Sequence, residues 1–227
     1  MRAWVVASLV GVFLIQTGCS TAGRQLPGLF PWQREPLDRL AKQAESADPD
    51  RRREAALALG HKRFRGEQAE QVRELLTTLL RSDLEPLVRS AAAVSLGRLG
   101  GEPAVAALSE GLSDASGMVR ADVCRGLGTT GAAAAVGPLT RTLAEDTSVD
   151  VRCAAARGLG NSQEPEARRA LVAALDAERA AVRTAAWQAL RRSTGAKKLP
   201  PERAAWEKWL ADEKGGGAPK RKRFLFW

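Results

Sequence analysis

Four Val-Arg pairs, Val88-Arg89, Val119-Arg120, Val151-Arg152 and Val182-Arg183, follow one another at intervals of 31, 32 and 31 residues. Each has an aspartate five or six positions ahead (Asp83, Asp114, Asp146, Asp176) and a leucine eight positions behind its valine (Leu96, Leu127, Leu159, Leu190). A period of this length specifies stacked supersecondary units, none of which can bury its apolar face alone. Function is therefore to be sought on a surface before a pocket.

Each unit reads as two helices. In the third, Val105, Leu108 and Leu112 follow Pro103 at helical spacing, Ser113-Asp114 mark a turn, and Val119, Val123 and Leu127 line a second helix. The fourth repeats this with Val136, Leu139 and Leu143, then Val151, Ala155 and Leu159. The Leu-Gly steps at Leu127-Gly128 and Leu159-Gly160 predict the stop of each second helix. The fifth unit runs from Glu164 to Gly195, with Arg191 in the glycine's place; the second carries Leu76, Leu80, Val88, Val94 and Leu96. A degenerate first unit spans 35–60, with Leu37 and Leu40 ahead of Asp48-Pro49-Asp50. Pro138 falls inside the first helix of its unit, where a kink is expected.

These residues resemble HEAT repeats, in the short form associated with phycobilisome lyases. The resemblance covers 35–195 and rests on the spacing of six in Asp83/Arg89, Asp114/Arg120 and Asp146/Arg152, with the Leu-Gly steps. It implies an all-α fold: a right-handed α-solenoid of about five two-helix repeats closed by a C-terminal capping helix. It also implies a structural network between repeats from Asp83, Arg89, Asp114, Arg120, Asp146, Arg152, Asp176 and Arg183. The chemistry agrees, since an aspartate at a helix start caps free N–H groups and an arginine bridges carboxylates through two parallel bonds. Cys124 and Cys153 lie nearly one turn out of register on adjacent second helices, which favours two buried thiols over a disulfide.

The net charge of +9 is not a property of the array, because residues 67–196 carry a net −1 and the excess sits at the two ends. Met1-Arg2 and the apolar run 3–15 read as an export signal, too short for a span of about 20 residues. Thr17-Gly18-Cys19-Ser20 resembles the lipobox of bacterial lipoproteins, with Gln16 where that pattern is apolar. Residues 1–18 are thus expected to be a signal peptide and Cys19 a lipidation site; ordinary cleavage after 20–22 and an uncleaved anchor are the alternatives. Ser20 after the cysteine, in place of aspartate, implies an outer membrane facing the periplasm ahead of an inner one.

Residues 19–34 form a connector whose Leu29, Phe30 and Trp32 would cover the first repeat or lie on a membrane. The longer interval between units one and two contains His61 and Lys62, Arg63, Phe64 and Arg65, a basic loop that is either solvated or grips an acidic group. After Gly195, residues 196–214 predict a capping helix in which Trp206 or Trp209 meets Trp187. The tail 215–227 is a Gly-rich linker ending in Lys220, Arg221, Lys222, Arg223, Phe224, Phe226 and Trp227. Cations beside aromatics suit an anionic bilayer surface, a partner peptide site, or disorder.

One histidine excludes mechanisms that need two imidazoles. Deoxyhypusine hydroxylases, a HEAT-like enzyme family, hold di-iron through His-Glu pairs, whereas His61 precedes Lys62. Gly-rich phosphate loops and paired Cys-x-x-Cys sites are missing too. The expectation is a protein–protein interaction scaffold in the bacterial cell envelope, without catalytic, metal or cofactor sites, binding an unknown protein partner. The alternative is an anionic polymer, or an anionic membrane surface, held by the basic ends. Nucleic acid is disfavoured by the near-neutral array.

Overall fold

A computed structural model describes residues 31–61 and 64–215, which form eleven α-helices; no strand occurs among the described residues. Helices α1 (Pro31–Ala44) and α2 (Pro49–His61) make the first unit, α3 (Glu67–Ser82) and α4 (Pro86–Leu99) the second, and α5 (Gly101–Gly111) and α6 (Gly117–Thr130) the third. The fourth pairs α7 (Val136–Glu145) with α8 (Val149–Leu159), and the fifth α9 (Pro165–Ala173) with α10 (Ala180–Thr194). A last helix, α11 (Arg203–Gly215), lies against α9. This is an α-solenoid of five helix pairs with a terminal cap. Helix α1 begins at Pro31, so its start takes in residues expected to belong to the irregular connector.

The repeat positions are the core. Val88, Val119, Val151 and Val182 are buried, and Leu59, Leu96, Leu127, Leu159 and Leu190 form a second column with no exposed surface. Each such side chain contributes roughly 1.5–3 kcal/mol by leaving water. The leucine column is continuous from α2 to α10, and the valine column runs from α4 to α10, since the first unit has exposed Arg51 at the valine position.

Of the glycines in the Leu-Gly steps, Gly160 marks the expected stop, since α8 ends at Leu159, while the others lie inside their helices, contrary to the sequence expectation. Gly60, Gly97 and Gly128 lie within α2, α4 and α6, and Gly160 follows α8 in right-handed geometry. Their role is close approach. A Cβ on Gly97 would stand 2.5 Å from the Cα of Gly126, and one on Gly128 would stand 2.4 Å from the Cα of Gly158. Gly60 meets Ser95, and Gly160 meets Ala189, in the same way. The actual stops of α4, α6 and α10 are Gly100, Gly131 and Gly195, at φ 69°, 66° and 76°, conformations that favour glycine.

This contact lies only along one row. The second helices α2, α4, α6, α8 and α10 pack broadly on one another, whereas successive first helices touch sparingly. Clefts open on the first-helix side instead, one of about 170 Å³ between α3 and α5 and one of about 450 Å³ between α5 and α7. Rows of unequal spacing curve the array, with the tighter row inside. The second helices therefore line its inner face.

Pro138 does not kink a helix. A 3₁₀ turn over Ala133–Ala135 precedes α7, so Pro138 is the third residue of the α-helix, where a missing N–H costs little. At the far end, Trp206 is fully buried, donates its indole N–H to the Pro200 carbonyl at 2.8 Å, and meets Trp209 edge-on at 5.9 Å. Trp187 is held by the loop before the cap and by its own helix. Its N–H reaches the Leu199 carbonyl at 3.0 Å in the loop before α11, and the Arg191 guanidinium lies 4.6 Å over its ring.

Candidate functional site

Arg89 and Arg120 of the Val-Arg pairs, with Arg52 at the equivalent position of the first unit, are clamps. Arg89 donates through Nη1 to the carbonyls of Asp83 and Leu84 in its own unit, at 2.8 and 3.1 Å, while Nε and Nη2 hold both carboxylate oxygens of Asp114 in the next unit at 2.6 and 2.9 Å. Arg120 does the same with the Asp114 and Ala115 carbonyls and with Asp146, and Arg52 with Ser46, Ala47 and Asp83. Each aspartate carboxylate thus serves the arginine of the preceding unit, 25 to 31 residues away, while the arginine six residues after Asp83 and Asp114 takes only the backbone carbonyl.

The three aspartates do not cap helices in the expected manner. Asp83, Asp114 and Asp146 accept the N–H two residues on, from Glu85, Ser116 and Ser148, one position before α4, α6 and α8 begin. The turn is fixed, and the carboxylate is left facing the neighbouring arginine. Burial opposes the charge on these three groups, but the arginine and the backbone N–H outweigh it, and all three carboxyls are held below the ordinary carboxylate range. Conversely, the aspartate hydrogen bonds raise Arg52, Arg89 and Arg120.

The network implied for Arg152, Asp176 and Arg183 does not form. Arg152 donates to the Leu143 carbonyl at 2.8 Å, Asp176 is exposed and pairs with Arg203 of α11 at 3.1 Å, and Arg183 holds only the Ala177 and Glu178 carbonyls. The cause is one extra residue. Asp176 and Arg183 are seven apart where the other pairs are six apart, and Asp176 ends a 3₁₀ turn that points it outward to the cap.

With the frame assigned, the residues free to vary between units are those on the inner face. Positions spaced by seven and eleven leave one side of each second helix: Leu87, Val94 and Arg98 on α4, and Met118, Arg125 and Thr129 on α6. On α8 and α10 the same face presents Asp150 and Arg157, then Gln188 and Arg192. Leu87 and Met118 are 51% and 42% exposed, unusual for large apolar groups beside a formed core. Beneath them Asp122 is buried, bonded by Ser90 from α4 and by Arg125.

Sequence reading missed this face. Its signal was present, in the positions of each second helix that the Val and Leu columns leave unused.

Of the residues expected to bind at the surface, Arg65 is exposed, while Phe64 is half-buried against the hydrophobic core and so is taken up by packing. His61 contacts Arg98 Nη1 through Nε2 at 2.9 Å. Lys62 and Arg63 lie outside the described residues, as do Cys19 and the tail residues Lys220, Arg221, Lys222, Arg223, Phe224, Phe226 and Trp227. Cys124 and Cys153 are both free and buried; burial pushes the Cys124 thiol up to about 12 and raises Cys153 as well. Among the described residues no group of three His, Cys, Asp or Glu side chains could hold a metal ion, and no helix is long and apolar enough to cross a membrane.

Comparison with known proteins places this geometry. The fold is similar to that of the CpcE–CpcF complex of phycocyanin lyase from Nostoc sp. PCC7120, with TM-score 0.57 and 19% identity, covering 89% of this chain and 76% of that one. It is also similar to YibA from Escherichia coli, with TM-score 0.55 and 21% identity over 79% of this chain; this chain spans 64% of that protein. Human deoxyhypusine hydroxylase aligns with TM-score 0.40 and 20% identity, over 69% of this chain and 84% of that one. No curated protein sequence matches. The profile of HEAT repeats, however, matches twice in overlapping register, at 37–123 and 105–191, and so covers every repeat from α1 to α10. The chain belongs to the HEAT-repeat family.

Proposed function

We propose that the chain is an exported, lipid-anchored scaffold that holds a protein partner against the inner face of its second helices at an envelope membrane. The observation that carries the binding part is the division of labour along those helices. Positions facing inward to the core repeat as valine, arginine, glycine and leucine, while the outward positions change from unit to unit and include exposed Leu87 and Met118. A surface varied on a constant frame suits recognition of one partner across several repeats. The export part rests on Met1-Arg2, the apolar run 3–15 and Thr17-Gly18-Cys19, and the scaffold is non-catalytic in this reading.

The test is fatty-acid labelling and fractionation of the chain and its Cys19→Ser variant in a bacterial host, followed by cross-linking in the intact envelope. Label lost with Cys19, and a cross-linked protein lost when Leu87 and Met118 become glutamate, are the expected results. A chain that remains unlabelled in the cytoplasm removes the anchoring half. Cross-links unaffected by the Leu87/Met118 change remove the inner face as the docking surface.

A further inference from the structure

The inner face carries one exposed arginine on each of four consecutive units: Arg98 on α4, Arg125 on α6, Arg157 on α8 and Arg192 on α10. They stand in two adjacent rows one helical turn apart. Arg125 and Arg157 are equivalent positions 32 residues apart, and Arg98 and Arg192 lie four residues further along their helices in register. Among the described residues none of Arg98, Arg157 and Arg192 has a carboxylate within 4.0 Å. Arg98 instead touches His61, and Arg192 reaches the Arg157 carbonyl at 3.4 Å. Arg125 alone has a carboxylate, the buried Asp122, which Ser90 also occupies.

The stripe repels itself. The Arg125 guanidinium is held below its ordinary value, first by burial and then by Arg157. Such a row sits apart from the structural arginines of α4 and α6, Arg89 and Arg120, whose guanidinium groups are already filled by carbonyls and aspartates. Three of the four lie near helix ends that favour a cation, which explains tolerance of the charge. It does not explain Arg125, which stands five residues before the end of α6.

We infer that this stripe binds an extended acidic peptide segment of a protein partner, with carboxylates at every third residue. The spacing follows from two lengths. Packed helix axes stand about 8–10 Å apart, and an extended chain advances about 3.3 Å per residue, so three residues carry it from one unit to the next. Each arginine then takes one carboxylate through paired N–H donors. Leu87 and Met118, on the first turns of α4 and α6, lie two to three turns away and give a separate part of the same partner an apolar contact. A continuous phosphate backbone fits less well, because its charges are contiguous whereas the arginines stand one to a unit, with Asp150 exposed on the same face. The inference rests on the scaffold reading above and names the chemistry of its partner.

The experiment is fluorescence anisotropy on the full chain with three probes: a Gly/Ser peptide with glutamate at every third position, its isomer with the same glutamates contiguous, and a single-stranded oligonucleotide of equal charge. The spaced peptide is expected to bind about tenfold more tightly than the isomer, and Arg125→Ala/Arg157→Ala to weaken it by about tenfold or more, with added salt acting in the same direction. Arg125→Ala also removes a partner of buried Asp122. Arg157→Ala/Arg192→Ala, at two exposed arginines neither of which pairs with a carboxylate among the described residues, is therefore the second variant: its melting curve should match the parent's while its binding of the spaced peptide weakens likewise. Equal binding of the two peptides, tighter binding of the oligonucleotide, or indifference to either double substitution overturns the inference. If the cross-linked partner of the previous section is retained by Arg125→Ala/Arg157→Ala while the peptide does not bind, the scaffold reading stands and the acidic segment falls.

Discussion

Gly97 of α4 and Gly126 of α6 meet backbone to backbone: a Cβ on Gly97 would come within 2.5 Å of the Gly126 Cα and 2.7 Å of its carbonyl oxygen. Neither partner is the far end of a side chain that could swing away. Two rigid helices must separate to admit a methyl group.

Gly97→Ala is therefore expected to destabilise the array by about 1–3 kcal/mol through overpacking. Gly137→Ala is the control, since a Cβ there meets nothing within 4 Å and the residue is helical in α7. It should leave stability unchanged or raise it by up to about 1 kcal/mol. Thermal melts followed by circular dichroism compare the two; equal melting temperatures would refute close approach as the reason for glycine.

The break in the clamp series gives a second test. A double-mutant cycle on Arg120 and Asp146, joined by two bonds of 2.8 and 3.0 Å, should return a coupling of about 1–3 kcal/mol. The same cycle on Arg152 and Asp176, which do not pair, should return a coupling near zero. Similar values from urea titration of both cycles would mean that the Asp176 displacement is not present in solution.

Acid should weaken the clamps together. Asp83, Asp114 and Asp146 have folded pKa values below their unfolded ones, so the unfolded chain binds more protons in the interval between them and stability rises with pH there. Their contribution is complete above the unfolded carboxylate value of about 3.9. It is lost as pH falls through the folded values. Urea midpoints measured from pH 6 downward should hold nearly level and then drop below about pH 4, and the drop should be shallower in Asp114→Asn. A decline that is as steep in Asp114→Asn assigns the acid sensitivity elsewhere.

At the cap, Trp206→Ala removes a fully buried indole and should cost about 3–5 kcal/mol. Trp187→Phe keeps a ring beneath Arg191 and deletes only the N–H that serves the Leu199 carbonyl, for about 0.5–1.5 kcal/mol. Melting temperatures in the reverse order would place the seal on Trp187.

The sequence made the stack legible through Val88, Val119, Val151 and Val182, because equivalent environments in successive units demand the same side chain. It also held the end of the clamp series, in the spacing of seven between Asp176 and Arg183. Other features were hidden by degeneracy. A glycine after leucine is compatible both with a left-handed stop and with close helix contact, and only the neighbouring backbone separates Gly128 from Gly131. The direction of the clamp was hidden too, since Asp114 lies near Arg120 in sequence but is held by Arg89 in space. The inner face was readable only after the core columns were fixed; Arg125 and Arg157 look like any solvated charges until their register shows them on one side.

Arg191 stands where Gly60, Gly97, Gly128 and Gly160 stand in the other units, and its guanidinium covers the ring of Trp187. In the other units that glycine is what lets the following second helix come to rest against its neighbour. The number of repeats is thereby inscribed in two side chains. Copying a unit to lengthen this array could succeed between existing units, but not after the fifth unless Trp187 and Arg191 both changed, so any descendant with more repeats should carry its additions internally and keep this pair beside its cap.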